Sequence, residues 1–551
     1  MKDEPVLSVV SAETHNASLS QEEERSDLIH NSDNLESAFD DEYALPTPHN
    51  PHGLPGKIGV LPLAVIVFYN VSGGPFGVEA SVRSAGNFYT LLGFLIMPFL
   101  WSLQEAAITA ELGAAFPESS GGVAWVEEAF GSMAGWISGY LNWIAGATDN
   151  AIYPVLFLDY VVEVLQPVDS DAPEAGGVRH PVIRFCLLSS ISISLAYVNY
   201  LGLDVVGKMA IAICFVAMSP FMILTIVGAF KVDPSRWFQM PTETVVADDV
   251  GTSFWDSITW GGVLWRPFIN NLFWNLNSFD AAACLSADVE DPGKIFPQGM
   301  MWGFVLVAAG YFVPLLVALG ASDAPQSAWV DGYLGRVASE VVGQWLGDWT
   351  IFAAGISNVA LFLAELSSDA FQILGMAERG FLPSIFATRS RYGTPTYGIL
   401  LGTAVIVVMG VTDLDHLIEM LNFNYSISLL FEFAAFIKLR ITRPDIHRPW
   451  KIPFGTTGCI IFLAPTLVMT VAVLLLASWT TYLFSMATVG LGAILYMTAT
   501  GKKGCCSSGR HGMTRVDSSI SDNLEMHSPI PQSIPSTGDD ILNHRSSNVL
   551  L

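Results

Sequence analysis

Apolar residues fill positions 57–500 in long blocks, with polar residues confined to the short stretches between them. A helix that crosses a bilayer core needs about 20 apolar residues. Twelve blocks approach or exceed that length: 57–84, 88–115, 131–165, 181–200, 204–230, 267–287, 296–320, 346–377, 396–411, 414–439, 457–478 and 480–500. Two of them are interrupted near the middle. In the first, Ile58–Tyr69 is followed by Asn70-Val71-Ser72-Gly73-Gly74-Pro75-Phe76-Gly77. In the sixth, Pro267–Trp274 is followed by Asn275-Leu276-Asn277-Ser278-Phe279-Asp280. Ile58–Tyr69 rises about 18 Å as a helix, so the chain leaves the helix just past the middle of a ~30 Å core. Non-helical backbone at that depth survives only where it lines a cavity. Matching interruptions in two halves of a chain point to a transporter's binding site.

The interruptions head spans one to five and six to ten. Five is odd, so the second set runs inverted relative to the first. The predicted fold is all-α and polytopic: twelve transmembrane helices, a five-plus-five inverted repeat with discontinuous helices 1 and 6, and two extra helices. An even number of crossings puts both tails on one side. That side holds Lys57, Lys208, Lys294, Arg379, Arg389, Arg391, Lys438, Arg440, Arg443, Arg448, Lys451, Lys502 and Lys503. The other holds Arg83, Arg179, Arg184, Lys231, Arg236, Arg266 and Arg336. The positive-inside rule then predicts cytoplasmic termini, with the plasma membrane as the expected location.

Net charge changes the picture only at the ends. The chain of 551 residues carries a formal charge of -26, yet only 14% of its residues are charged. Twelve acids fall in residues 1–56, against Lys2 and Arg25. Such a segment cannot bury a core and predicts a disordered cytoplasmic tail. The Ser-rich residues 501–551 predict another, leaving 57–500 as the transporter domain. No basic start followed by an apolar run opens the chain, so no cleaved signal is expected. Cys186, Cys214, Cys284 and Cys459 lie within apolar blocks, which argues against disulfides. Cys505 and Cys506, beside Lys502-Lys503, suit palmitoylation or stay as free thiols.

Acids inside the apolar blocks carry the chemistry. Glu79 follows the first interruption and Asp280 closes the second. Glu105 and Glu111 lie in span two, Asp149, Asp159 and Glu163 in span three, and Glu365 and Asp369 in span eight, one turn apart. A buried charge is costly unless it pairs or lines a wet cavity. No matching basic set lies at the same depth, so the excess sign predicts a cationic substrate, a coupling cation, or both. Pro75 has no N–H to offer a substrate carboxylate, whereas Glu79 and Asp149 would welcome an ammonium group. Trp143, Tyr153, Phe273 and Trp274 add aromatic faces for cation–π contact. Ser72, Gly73, Gly74, Asn275 and Asn277 supply backbone and amide groups at the two interruptions. Glu365, Asp369 and Lys208 are the candidates for coupling. No phosphate-binding loop, metal-spaced cluster or nucleophile constellation is present, so the reading is of a carrier, not an enzyme, without cofactor, metal or nucleic-acid partner. Membrane lipid and protons (or sodium) are the other expected partners.

Several long ordered segments resemble the plant polyamine uptake transporters of the amino acid–polyamine–organocation superfamily. They are Val71-Ser72-Gly73-Gly74-Pro75-Phe76-Gly77-Val78-Glu79, Phe273-Trp274-Asn275-Leu276-Asn277, Met376-Ala377-Glu378-Arg379-Gly380 and Arg389-Ser390-Arg391-Tyr392-Gly393-Thr394-Pro395. Asp149-Asn150-Ala151 and Tyr153–Tyr160 belong to the same set. The resemblance covers residues 57 to about 500 and implies the five-plus-five fold, proton-coupled uptake of putrescine or spermidine, and substrate contacts from Ser72–Gly74, Glu79 and Trp274–Asp280. Lys208 and Phe279 depart from the pattern. Two other readings stay open: a permease for cationic or neutral amino acids, and a nutrient-sensing receptor that signals through its tails without transport.

Overall fold

The computed structural model describes residues 58–165, 180–241, 259–410 and 414–506. The expectations for the tails at 1–56 and 507–551, and for the side chains of Glu163, Cys505 and Cys506, lie outside the described residues. Helices make up nearly everything else. In chain order they are α1 (Val60–Val71), α2 (Glu79–Met97), α3 (Leu103–Ala115), α4 (Gly122–Phe130), α5 (Ser132–Asn150), α6 (Ile152–Leu165), α7 (Pro181–Tyr200) and α8 (Leu203–Gly228). Then follow α9 (Trp265–Leu276), α10 (Pro292–Ala321), α11 (Tyr333–Val341), α12 (Gln344–Glu378), α13 (Thr396–Met409), α14 (Leu414–Thr442), α15 (Thr456–Leu476) and α16 (Trp479–Cys506). A short hairpin pairs Thr259–Trp260 with Val263–Leu264 ahead of α9.

Among the described residues, eight helical stretches are long and apolar enough to cross a membrane, and Val60–Val71 and Thr396–Met409 are shorter apolar helices. The protein is therefore an all-α, multi-pass membrane protein. Burial sorts the helices by position. The most apolar window of α12 is 72% buried, which makes it central, whereas that of α7 is only 17% buried and turns its side chains to lipid. Around α12 pack α5, α6, α8 and α13, while α1 packs on α8 and α10.

Backbone geometry explains where the first and sixth blocks stop. α1 ends at Ser72, whose backbone is extended (φ -152°, ψ 134°). Gly74 (φ 98°) and Gly77 (φ 80°) then take the left-handed region that glycine enters without a Cβ clash. At Gly77 a Cβ would also stand 3.2 Å from the Trp274 ring. Helix resumes at Glu79 but turns again at Gly86 (φ 69°), an unforeseen corner where a Cβ would meet the Pro241 backbone at 3.2 Å. α9 stops at Leu276. Asn277 is extended, Ser278 is left-handed (φ 73°), and the chain continues as a 3-10 helix over Asp280–Asp288. A π-turn at Pro98–Ser102 joins α2 to α3. It was not legible in an uninterrupted apolar run.

At the end of the bundle where residue 58 begins, backbone pairing and ion pairs tie the elements together. Ile58 pairs with Val289 as a parallel bridge. Arg379 bonds Glu118 and Glu127 at 2.6 Å each. Burial opposes the Arg379 charge, yet those carboxylates hold its pKa above the usual guanidinium value. Arg389 bonds Asp288 at 3.0 Å. At the opposite end, Asn87 donates to the Arg236 carbonyl, Gln326 to the Arg83 carbonyl, and Trp237 to the Leu316 carbonyl.

Candidate functional site

Both broken segments face one cavity of about 180 Å³. Asn70, Gly73, Phe76 and Gly77 form one wall, and Asn271, Trp274, Asn275 and Ser278 another. Asp149, Tyr153 and Tyr160 come from α5 and α6, Tyr311 from α10, and Ser357 and Leu361 from α12. Asp331 and Ile418 also line it.

The walls are held by bonds between the unwound backbone and neighbouring helices. Ser357 Oγ donates to the Gly73 carbonyl at 2.5 Å. Asn271 Nδ2 donates to the Gly77 carbonyl at 2.9 Å and Asn275 Oδ1 accepts from the Tyr311 hydroxyl at 2.7 Å. Carbonyls freed by the break thus find side-chain donors, the accounting that buried non-helical backbone requires. Asp149 is the acid that α5 delivers to this space. Its Oδ1 accepts from Trp274 Nε1–H at 3.0 Å, which fixes the carboxylate beside an indole. No Lys or Arg among the described residues forms an ion pair with it. Tyr153 stands between the carboxyls of Asp149 and Glu365.

Of the residues singled out from sequence, Gly73, Asp149, Tyr153, Trp274 and Asn275 line the cavity. The structure does not bring the others to the wall. Ser72 is buried and accepts from the Gly74 N–H at 3.0 Å. Glu79 is buried at the start of α11, where Oε1 accepts from the Leu334 N–H at 3.5 Å. A helix N-terminus offers unpaired donors and a positive dipole end, which suits a carboxylate. Trp143 packs with Ala147 and Ile373, and Phe273 meets the edge of Trp101 with ring centroids 4.5 Å apart. Asn277 bonds Ser278 Oγ at 3.0 Å. Asp280 lies behind the wall against Asn142 and Tyr425.

The coupling candidates divide similarly. Glu365 and Asp369 are buried on α12, and Asp369 is pressed against Gly146, where a Cβ would stand 2.3 Å from Oδ1. Lys208 has a side chain that is 72% exposed and pairs with Asp204 one turn away, and it is not among the residues that line this cavity. Two span acids find the cations that the sequence reading denied them. Asp159 takes both guanidinium nitrogens of Arg184, at 2.6 and 2.9 Å. Glu111 is buried between Arg440 and Arg448. Burial depresses the Arg448 pKa, against the raising effect of Glu111. Tyr425, Glu432, Asn142 and Tyr311 were missed. Polar residues clustered at Asn422, Asn424, Ser426 and Ser428 within an apolar block were the available signal for α14.

Comparison with known proteins bears on the same segments. A family model described as amino acid permease matches residues 58–499. A probable polyamine transporter of Arabidopsis thaliana is 41% identical over 442 residues, 80% of this chain and 86% of that one. Polyamine transporter PUT1 of Oryza sativa subsp. japonica is 39% identical over 438 residues, covering 80% of this chain and 77% of its own length. Polyamine transporter RMV1 of Arabidopsis thaliana is 38% identical over 439 residues, 80% and 84% of the two chains. The matched region spans both broken segments and every wall of the cavity, and on that extent the chain belongs to the amino acid permease family.

Proposed function

We propose that the protein is a secondary active transporter that takes up polyamines of the putrescine and spermidine class by proton symport. Membership in a permease family makes it a carrier rather than an enzyme. The observation that carries the cargo is Asp149: a carboxylate on the cavity wall, without a basic partner among the described residues, flanked by Trp274, Tyr153 and Tyr160. An ammonium group gains a charge-assisted hydrogen bond there, and the aromatic faces cover its methylene chain and add cation–π attraction. Three relatives whose names state polyamine transport support the same cargo.

The helices fit twelve crossings in a five-plus-five inverted repeat: α1 with Glu79–Ala85 as the first, α5 with α6 as the third, and α9 with Asp280–Asp288 as the sixth. The excess of Lys and Arg assigns the Ile58 end and both termini to the cytoplasm, and the plasma membrane is the site of uptake. The bridge and ion pairs at the Ile58 end support a cavity reached from outside, with rocking of the broken helices delivering the amine inward. A doubly charged amine gains about 4.6 kcal/mol from a 100 mV inside-negative potential, before any pH gradient. Glu365 and Asp369, behind Asp149, stand on the route by which protons couple.

Purified protein in liposomes tests this. Radiolabelled spermidine should accumulate under an inward pH gradient and not under a sodium gradient, with excess putrescine competing. The family description keeps an amino acid cargo as the second reading. Block by excess arginine or leucine, with spermidine inert, would replace the polyamine assignment with it.

A further inference from the structure

A second polar site lies behind the cavity, built around the Tyr425 hydroxyl. That hydroxyl accepts from the Ser278 N–H at 3.1 Å. It also lies 2.8 Å from Glu105 Oε1 and in direct contact with Asp280 Oδ1. A phenol carries one proton to donate and two lone pairs to accept. It can therefore donate to one of the two carboxyl groups, and the other close contact needs a proton of its own. The surroundings decide which. Glu105 Oε1 already accepts from the backbone N–H groups of Phe279 at 2.6 Å and Asp280 at 3.3 Å, a setting for an ionised oxygen. Asp280 Oδ2 accepts from Asn142 Nδ2 at 2.7 Å and the carboxyl also meets the backbone N–H groups of Asp280 and Ala281, while Oδ1 makes the direct contact with the hydroxyl, the closest of the phenol's contacts and the place for the second hydrogen.

We propose that Asp280 is the residence of the coupling proton: a neutral carboxylic acid whose Oδ1–H donates to Tyr425, which in turn donates to an ionised Glu105. The assignment rests on the transport reading above and deepens it. Counted this way, the hydroxyl's one donor and both acceptor positions are filled. Glu105 is 1% exposed, and its Oε2 has no hydrogen-bond partner among the described residues. That leaves a second oxygen in the same pocket able to take up a proton when the network switches. The direct contact between the hydroxyl and Asp280 leaves no space between them for a metal cation.

The groups that face Asp280 from other elements are Glu105 on α3, Asn142 on α5, Asp369 on α12, and Tyr425 and Glu432 on α14; Cys284 lies on its own segment. None of these carboxylates is ion-paired to a Lys or Arg among the described residues, so a proton is the positive charge within reach. Asp369 neighbours both Asp149 and Asp280, which links the site to the cavity. Ser278 supplies the coupling element. It lines the cavity, its backbone is held at φ 73°, and its N–H bonds the Tyr425 hydroxyl. An amine that moves Ser278 changes the hydrogen bonding of the proton site, and loss of the proton changes the wall that holds the amine.

The test measures spermidine and protons together, in liposomes loaded with a pH-sensitive dye. Asp280→Asn should lose spermidine-dependent proton influx and the response to an imposed pH gradient, while spermidine counterflow continues. Tyr425→Phe removes the acceptor of the Asp280 Oδ1–H together with the donor to Glu105, so the protonated site loses two bonds where the deprotonated site loses one, and the uptake profile should move down by about one pH unit. Proton influx in Asp280→Asn equal to wild type, or loss of its counterflow in folded protein, overturns the proposal. So does an unmoved pH profile in Tyr425→Phe, and that variant decides alone if Asp280→Asn does not fold. The parent reading fails separately. Wild-type protein that moves protons with a different organic solute leaves the site standing without polyamines, whereas proton-free polyamine uptake removes the site and keeps the cargo.

Discussion

Replacing Asp149 with Asn isolates its charge from its geometry. Asp149 Oδ1 accepts the Trp274 indole N–H at 3.0 Å, and an asparagine carbonyl oxygen can keep that bond. The indole and the α9 break therefore stay in place, and the loss falls on the bound ammonium. A hydrogen bond to a charged group is worth about 1.5–3 kcal/mol, which corresponds to a Km for spermidine raised about 10- to 150-fold. Asp149→Ala should do worse, because it also leaves the partly buried Trp274 N–H without its carboxylate acceptor. The assay is initial-rate uptake of labelled spermidine into cells, with surface level measured by biotinylation and held equal. Cavity charge is the whole basis of the expected effect. A Km within about twofold of wild type, worth ~0.4 kcal/mol, would refute the assignment of Asp149 as the ammonium-binding carboxylate.

Gly146→Ala should abolish uptake while the protein still reaches the membrane, since the new Cβ would stand 2.3 Å from Asp369 Oδ1 and push that carboxylate away; uptake and surface labelling check both halves. Arg440→Met leaves Glu111 without its closest buried partner, and breaking such a pair costs about 3–5 kcal/mol. Thermal unfolding in detergent should show the loss, and Arg440→Met with Glu111→Gln should recover part of it. Lys208→Ala, at an exposed position paired with Asp204, should leave Km and the pH profile of uptake unchanged. A shift in either would return Lys208 to the coupling machinery.

Length and hydropathy made the multi-pass, all-helical character legible, because a bilayer requires long apolar helices whatever the partners. Block 181–200 and α7 (Pro181–Tyr200) even share their bounds. The departures have local causes that hydropathy does not record. α4 and α11 are short helices between blocks, and each turns an apolar face onto the protein: Val123, Trp125 and Val126 in one, Leu334, Val337 and Val341 in the other. The corner at Gly86 depends on Pro241, a contact more than a hundred residues away in sequence. Of the site, the two interruptions and Asp149 could be read, since glycine, proline and acids inside apolar runs announce themselves. Which acid faces the cavity could not, because spacing along one helix does not say which neighbour its face meets.

The membrane acids resolve into distinct roles once their partners are known. Glu111 and Asp159 are neutralised by arginines, and these pairs hold structure. Glu79 meets the N–H of Leu334 at the start of α11 through one oxygen, while its other oxygen is buried without a hydrogen-bond partner among the described residues. Asp149 has an indole N–H, the neighbouring Tyr153 and a cavity, and Asp280 shares a phenol with Glu105. A carrier for cations needs this division. If every acid were paired with arginine, the cavity would have no attraction for an ammonium group. If every acid were free, the desolvation cost of so many buried charges would unfold the bundle. Arginines at the ends of the spans and the proposed proton on a shared hydrogen bond lower that cost at Glu111, Asp159 and the Asp280–Glu105 pair. In the proposed reading Asp149, on the cavity wall beside Trp274, is a carboxylate that a mobile cation neutralises.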